Sequence, residues 1–199
     1  AFAERGVRPA FGSGALVEVR QWQDAKGHDR LSLATRSDLP LREQISAPGA
    51  TWLDRQLIAR EPIATGNGFG IEIRDAMTAR SRELESAGLA RRQGNGFHFE
   101  RGLIETLRAR EMTHETDAIA ARTGLAHRPS AEGDYVSGVY RERVTLASGR
   151  FALIDDGLGF QLVPWRPAID QHLGQHISGT MGRGGSVDWT LGRGRGLGL

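Results

Sequence analysis

"SGRFALIDDGLGFQLVPWRP" (148–167) reads as two apolar runs joined by an acidic turn, and its reading sets the fold of everything around it. RFALID (150–155) and FQLVPW (160–165) have strand composition, and between them Asp155, Asp156 and Gly157 supply turn chemistry. Paired carboxylates can also do acid–base work, but that requires neighbours that tune their acidity, and no local pattern supplies them. The pair is therefore expected at a hairpin tip. Outward from this hairpin, VYRERVTLA (139–147), HISGTMG (176–182) and SVDWTL (186–191) add three short strands. RPAIDQHLGQ (166–175) carries Pro167 early and Gly174 late, which predicts a helix at 167–174. Three strands, a helix and two strands is the chain order of an OB-fold, with an SH3-like barrel as the close competitor. The spacing thus predicts a small five-stranded antiparallel β-barrel, OB- or SH3-like.

Upstream, the period changes. GLAHRPSAEGDYVSG (124–138) has the Gly, Pro and Ser of a linker. IEIRDAMTARSRELESAG (71–88) places Ile73, Ala76, Met77 and Leu84 near one face and ends on Gly88, a helix with a C-terminal glycine cap. LARRQGNGFHF (89–99) is two short strands around Gly94, Asn95 and Gly96, and 100–123 resumes a helical pattern. Helix, ribbon, helix is how a winged helix passes into its wing, so a winged-helix-like middle is expected. TWLDRQLIAR (51–60) suits a helix buried on one side. SDLPLREQI (37–45) offers Ser37 or Asp38 as a helix cap, and 15–23 with 30–36 form a hairpin. The fold class expected is α+β, with four regions. Residues 1–50 hold a hairpin and short helix left from an upstream domain, and 51–123 the winged-helix-like region. A linker at 124–138 then leads to a barrel with a glycine-arginine tail at 139–199.

Composition narrows the function. The chain has 199 residues, formal charge +2, no cysteine and 25 arginines against a single lysine, Lys26. The absence of cysteine excludes a disulfide framework and thiolate chemistry and fits a cytoplasmic protein. No apolar run is long enough for a membrane span, so no membrane partner is expected. No signal peptide is visible, and the missing initiator Met points to a piece of a longer protein. Arginine binds phosphate bidentately and stacks on bases, although a GC-rich genome produces the same bias.

Catalytic patterns are thin. His172 and His176 have the i, i+4 spacing of two metal ligands on a helix, but Gly174 weakens that helix and the glutamate of a zinc-protease motif is missing. GNGFG (66–70) has no following lysine, and no Gly-x-Ser-x-Gly elbow occurs. Tyr135 and Tyr140 read as packed side chains. No catalytic residue, metal ligand or cofactor is assigned. The nucleic-acid features are better. Arg74, Arg80 and Arg82 lie on the helix before the ribbon, and Arg91, Arg92, Asn95 and His98 lie in or beside it, where phosphates would be gripped. Trp165, beside Arg166, and Trp189 offer stacking surfaces for unpaired bases, or else are core.

TWLDRQLIAR, GFGIEIRDAMTARSRELESAGLARRQG, SGVYRERVTLASGRFALIDDGLGFQLVPWRP, HLGQHISG and the closing GRGRGLGL resemble the C-terminal, non-nuclease region of VirD-type conjugative relaxases. The likeness runs from about Gly14 to the C-terminus and is most specific in LASGRFALIDDGLGFQLVPWRP. Such enzymes nick one DNA strand with a tyrosine and a histidine-held metal, then pilot the strand into a type IV secretion channel. This sequence has neither the His-x-His motif nor a tyrosine in that setting, so no catalytic residue carries over. The resemblance implies an accessory region that binds or positions DNA, or a module recognised by the type IV coupling protein.

Overall fold

A computed structural model describes residues 14–63 and 66–191, and the chain divides into two units, Ala1–Arg108 and Ala109–Leu199. The glycine-arginine tail (192–199), residues 1–13 and part of the 61–70 loop lie outside the described residues.

In the first unit, strands β1 (Leu16–Gln23) and β2 (Asp29–Ser37) form a two-stranded antiparallel ribbon. Helices α1 (Leu41–Ser46), α2 (Trp52–Leu57) and α3 (Phe69–Ser86) follow, then the hairpin β3 (Ala90–Gln93) and β4 (Gly96–Phe99), and the start of α4 (Leu103–Thr123). Helix α1 starts after Pro40 with no side-chain cap, so neither Ser37 nor Asp38 is the cap that the sequence offered. Helix α2 is started by a capping box: the Thr51 hydroxyl accepts from the Asp54 N–H, and the Asp54 carboxylate accepts from the Thr51 N–H. Leu53, Trp52, Ile73 and Ala76 pack into one core, and Leu84, Leu89, Leu103 and Leu107 into another.

The middle is not a winged helix. Hairpin β3–β4 is a two-stranded sheet of its own, joined by neither β1 nor β2. The long helix before it is turned inward along Ile73, Ala76, Arg80, Ser81 and Leu84, rather than offering a recognition face.

The second unit is not a closed barrel. Strands β5 (Ala126–His127), β6 (Tyr135–Leu146), β7 (Gly149–Asp155), β8 (Gly159–Pro164), β9 (His176–Met181) and β10 (Val187–Thr190) form one open mixed sheet. Their order is β10-β9-β6-β7-β8-β5. All five predicted strands are present, but β10 pairs only with β9, and the outer edge of β8 is taken by β5, which runs parallel to it. That strand comes from the segment expected to be linker, and β6 also begins inside that segment. The helix expected at 167–174 is a 3₁₀ turn, Pro167–His172.

One residue explains how an open sheet buries both faces. The register of β6 against β7 slips between Tyr140 and Glu142, leaving Arg141 as a bulge. Before it, Val136 and Tyr140 face a core with Ala152, Ile154, Val163 and Ile177. After it, Val144 faces a second core with Leu153, Phe160 and Ile119 of α4. Strand β7 therefore reads as a continuous apolar run, because alternate side chains enter different cores. At Gly138 the crossing is tight: a β-carbon there would collide with the Asp155 carbonyl oxygen.

Candidate nucleic-acid interface

The hairpin β3–β4 is fixed at both ends. Behind it, α3 closes with Leu89 N–H donating to Leu84 O (2.8 Å) and Gly88 N–H to Glu85 O (3.0 Å), and Leu84 and Leu89 share a core. At its tip, the two-residue loop Gly94 and Asn95 has positive φ only at Gly94 (55°), as a type II′ turn requires. The Glu100 N–H donates to Leu89 O (3.0 Å), which carries the pairing one residue beyond β4.

This geometry sorts the arginines. Arg91 pairs across the ribbon with His98, and Arg92 with Phe97. Directly opposed residues share a face and neighbours along a strand alternate, so Arg91 and Arg92 point to opposite sides. On one side, Arg91, His98 and Arg101 line a groove of about 440 Å³ together with Glu100. Arg91 and Arg101 have no ion pair among the described residues. On the other side, the Arg92 guanidinium lies 5.6 Å from the Phe97 ring centroid. There Phe97, Asn95 and Arg74 border a second groove of about 300 Å³. Arg91 and His98 are contacts expected from the sequence, and Arg101 is not. The extension of the ribbon through Glu100 brings Arg101 alongside them, and its sequence signal was its place two residues after the end of β4.

Residues 12–198 match the model of a protein family described as a protein of unknown function, DUF3363. The chain belongs to that family. No curated protein and no solved structure matches it.

The remaining predicted contacts of this DUF3363 chain separate. Arg80 is interior, 3% exposed, and uses all five N–H groups. It donates to both Asp54 carboxylate oxygens (2.8 and 3.0 Å) and to the carbonyls of Ile45, Ala47 and Gly49 (3.1, 2.7 and 3.0 Å). No donor is left for a phosphate. Arg82 is exposed on α3, and Arg74, also exposed, has Asp75 3.9 Å away. In the second unit Trp165 is half-buried against the core, with the guanidiniums of Arg143 and Arg150 at 5.2 and 5.5 Å from its ring. Two of the chain's own guanidiniums therefore lie against this ring. Arg166 is exposed next to it, and Trp189 packs against the same core.

Asp155 and Asp156 line a groove of about 560 Å³ with Arg128, Arg141, Ser137 and His176. Their oxygens are occupied by the turn: Asp155 accepts from the Gly157 N–H (2.8 Å), and Asp156 from the N–H groups of Leu158 (2.9 Å) and Gly159 (2.8 Å). Arg141 pairs with Asp155 (2.9 Å), and Arg128 with Asp156. The N–H bonds from Leu158 and Gly159, with Arg128 nearby, hold the Asp156 carboxyl below the usual carboxylate range. It stays ionised and locks a turn. His172 and His176 are not on one helix: the 3₁₀ turn ends at His172, which meets Gln175 (2.9 Å), while His176 opens β9 beside the Ser137 hydroxyl (3.4 Å). Among the described residues no group of three or more His, Asp or Glu side chains could hold a metal ion. Tyr140 is 1% exposed, and burial pushes its hydroxyl above the ordinary tyrosine value, the opposite of an activated nucleophile. Among the described residues no helix is long and apolar enough to cross a membrane.

Proposed function

We propose that this chain is an accessory, non-nuclease region of a conjugative relaxase, acting in the cytoplasm to bind or position DNA during transfer of a plasmid or integrative element. The observation that carries the DNA-binding part is the outward face of hairpin β3–β4. Arg91, His98 and Arg101 converge there on one groove, with both arginines unpaired among the described residues. Residues 89–101 hold three arginines against one glutamate, so the ribbon is cationic on a chain of nearly balanced charge. Guanidiniums without carboxylate partners are the groups that exchange counterions for phosphates.

The test is fluorescence anisotropy with labelled oligonucleotides across a salt series. The chain binds at low salt, and Arg91→Ala with Arg101→Ala lowers affinity for all sequences alike. The slope of log K against log salt shrinks by about 1.8 for duplex DNA. A folded double variant with unchanged slope removes the reading. A second reading is favoured by ribbon β1–β2, which leaves Val19, Leu31 and Leu33 43–62% exposed on one face. An apolar face of this kind fits a protein partner such as the type IV coupling protein. It takes the lead when no oligonucleotide binds at low salt.

A further inference from the structure

We infer that the groove on the inward side of hairpin β3–β4 takes an unpaired nucleobase, so that the hairpin grips phosphate with one face and a base with the other. This rests on the DNA-binding reading above and adds to it which form of DNA is held. The groove measures about 300 Å³, at the small end of ligand clefts, and is bordered by Leu57, Met77, Phe97, Asn95 and Arg74. Its walls are mostly apolar, as a flat heterocycle requires. No Asp or Glu lines it, and the nearest acidic partner of its rim is Asp75, 3.9 Å from Arg74. Cations stand at its rim: Arg74 borders it, and Arg92 lies 5.6 Å from the centroid of its aromatic wall, Phe97.

Three polar side chains there differ in what they can still recognise. Thr78 and Ser81 already donate their hydroxyls to the carbonyls of Arg74 (3.0 Å) and Met77 (2.9 Å). The Asn95 side chain makes no hydrogen bond among the described residues, so both its amide donor and its acceptor are open to a base edge. An aromatic wall, an uncommitted amide and rim guanidiniums are the parts with which proteins hold splayed-out bases. Duplex DNA cannot use such a groove without releasing a base from its stack.

The experiment uses the whole chain and three labelled probes of equal length at one low salt concentration: a mixed-sequence single strand, a strand with every base removed, and a duplex. The intact single strand binds about tenfold more tightly than the abasic strand, the scale of one aromatic–base contact. Phe97→Leu, which keeps the packing but removes the ring, collapses that advantage. So does Asn95→Ala, at an exposed turn position where folding is not at stake. Equal affinity for intact and abasic strands overturns the inference while leaving the phosphate grip standing, provided both still bind with a steep salt slope. An advantage that persists in both variants overturns it too, because the base is then held elsewhere. Binding of none of the probes removes the DNA-binding reading and this inference together, and leaves the apolar groove to a peptide side chain.

Discussion

Arg80→Ala is the most severe single change expected in the first unit, and its size follows from who loses a partner. The substitution removes five hydrogen bonds at once. Asp54, 0% exposed, keeps only Thr51 on one carboxylate oxygen, and its other oxygen is left without a partner among the described residues. Of the three carbonyls released, Gly49 is buried, while Ile45 and Ala47 are half-buried and can be rehydrated. Breaking a buried ion pair from one side costs about 3–5 kcal/mol, most of it the uncompensated charge. That is a large part of the ~5–15 kcal/mol available to a domain. Guanidinium denaturation followed by the fluorescence of Trp52, buried in the core next to Asp54, reads the loss as a lower midpoint at unchanged slope. The paired change Asp54→Asn with Arg80→Met should recover more than half of it, because no buried charge then remains. An Arg80→Ala protein within about 0.5 kcal/mol of the parent, as for an exposed arginine, refutes the reasoning. So does a paired variant no more stable than Arg80→Ala alone.

Other perturbations test the second unit. Glu111, 4% exposed, accepts from the N–H groups of Ala147 (2.7 Å) and Ser148 (3.1 Å) at the β6–β7 turn. Glu111→Ala should cost about 2 kcal/mol and speed amide exchange at those two residues. Gly138→Ala should cost about 1–3 kcal/mol in a thermal melt, because its methyl meets backbone at Asp155 rather than a side chain that can swing away. A silent substitution there would show that the strand crossing can open to admit a methyl group. Because the folded-state pKa of Asp156 is depressed, its contribution is present above the unfolded value of about 3.9 and is lost as pH falls through the folded value. The stability gap between the parent and Asp156→Asn should therefore be full at pH 6 and close in acid below pH 4. A gap unchanged down to pH 2 would remove the turn-lock role.

Much of the local structure was written in the chain. Gly94 and Asn95 between short strands, and Asp155, Asp156 and Gly157 between apolar runs, specify turns through their own backbone chemistry, and both hairpins are where those residues put them. Two placements of arginine were legible as well. Arg80 lies on the stripe Ile73, Ala76, Met77, Leu84 at helical spacing, so its burial was legible although Arg74 and Arg82 on the same helix are exposed. Likewise, strand alternation alone separates Arg91 from Arg92. What no local pattern held was the partner of each buried group, since Arg80 meets Asp54 from 26 residues away and the two-residue β5 exists only because β8 has an edge to pair. Strand β6 shows the limit most clearly. Val136, Tyr140, Val144 and Leu146 all fall in one phase of a period of two, which by itself assigns them to one face of one sheet. The bulge at Arg141 leaves that period intact in the sequence but exchanges the faces in space, sending Val136 and Tyr140 into one core and Val144 into the other. A chain's pattern says which side chains must be buried; only the pairing register against a distant strand decides in which core, because that register is a contact between segments and not a property of either.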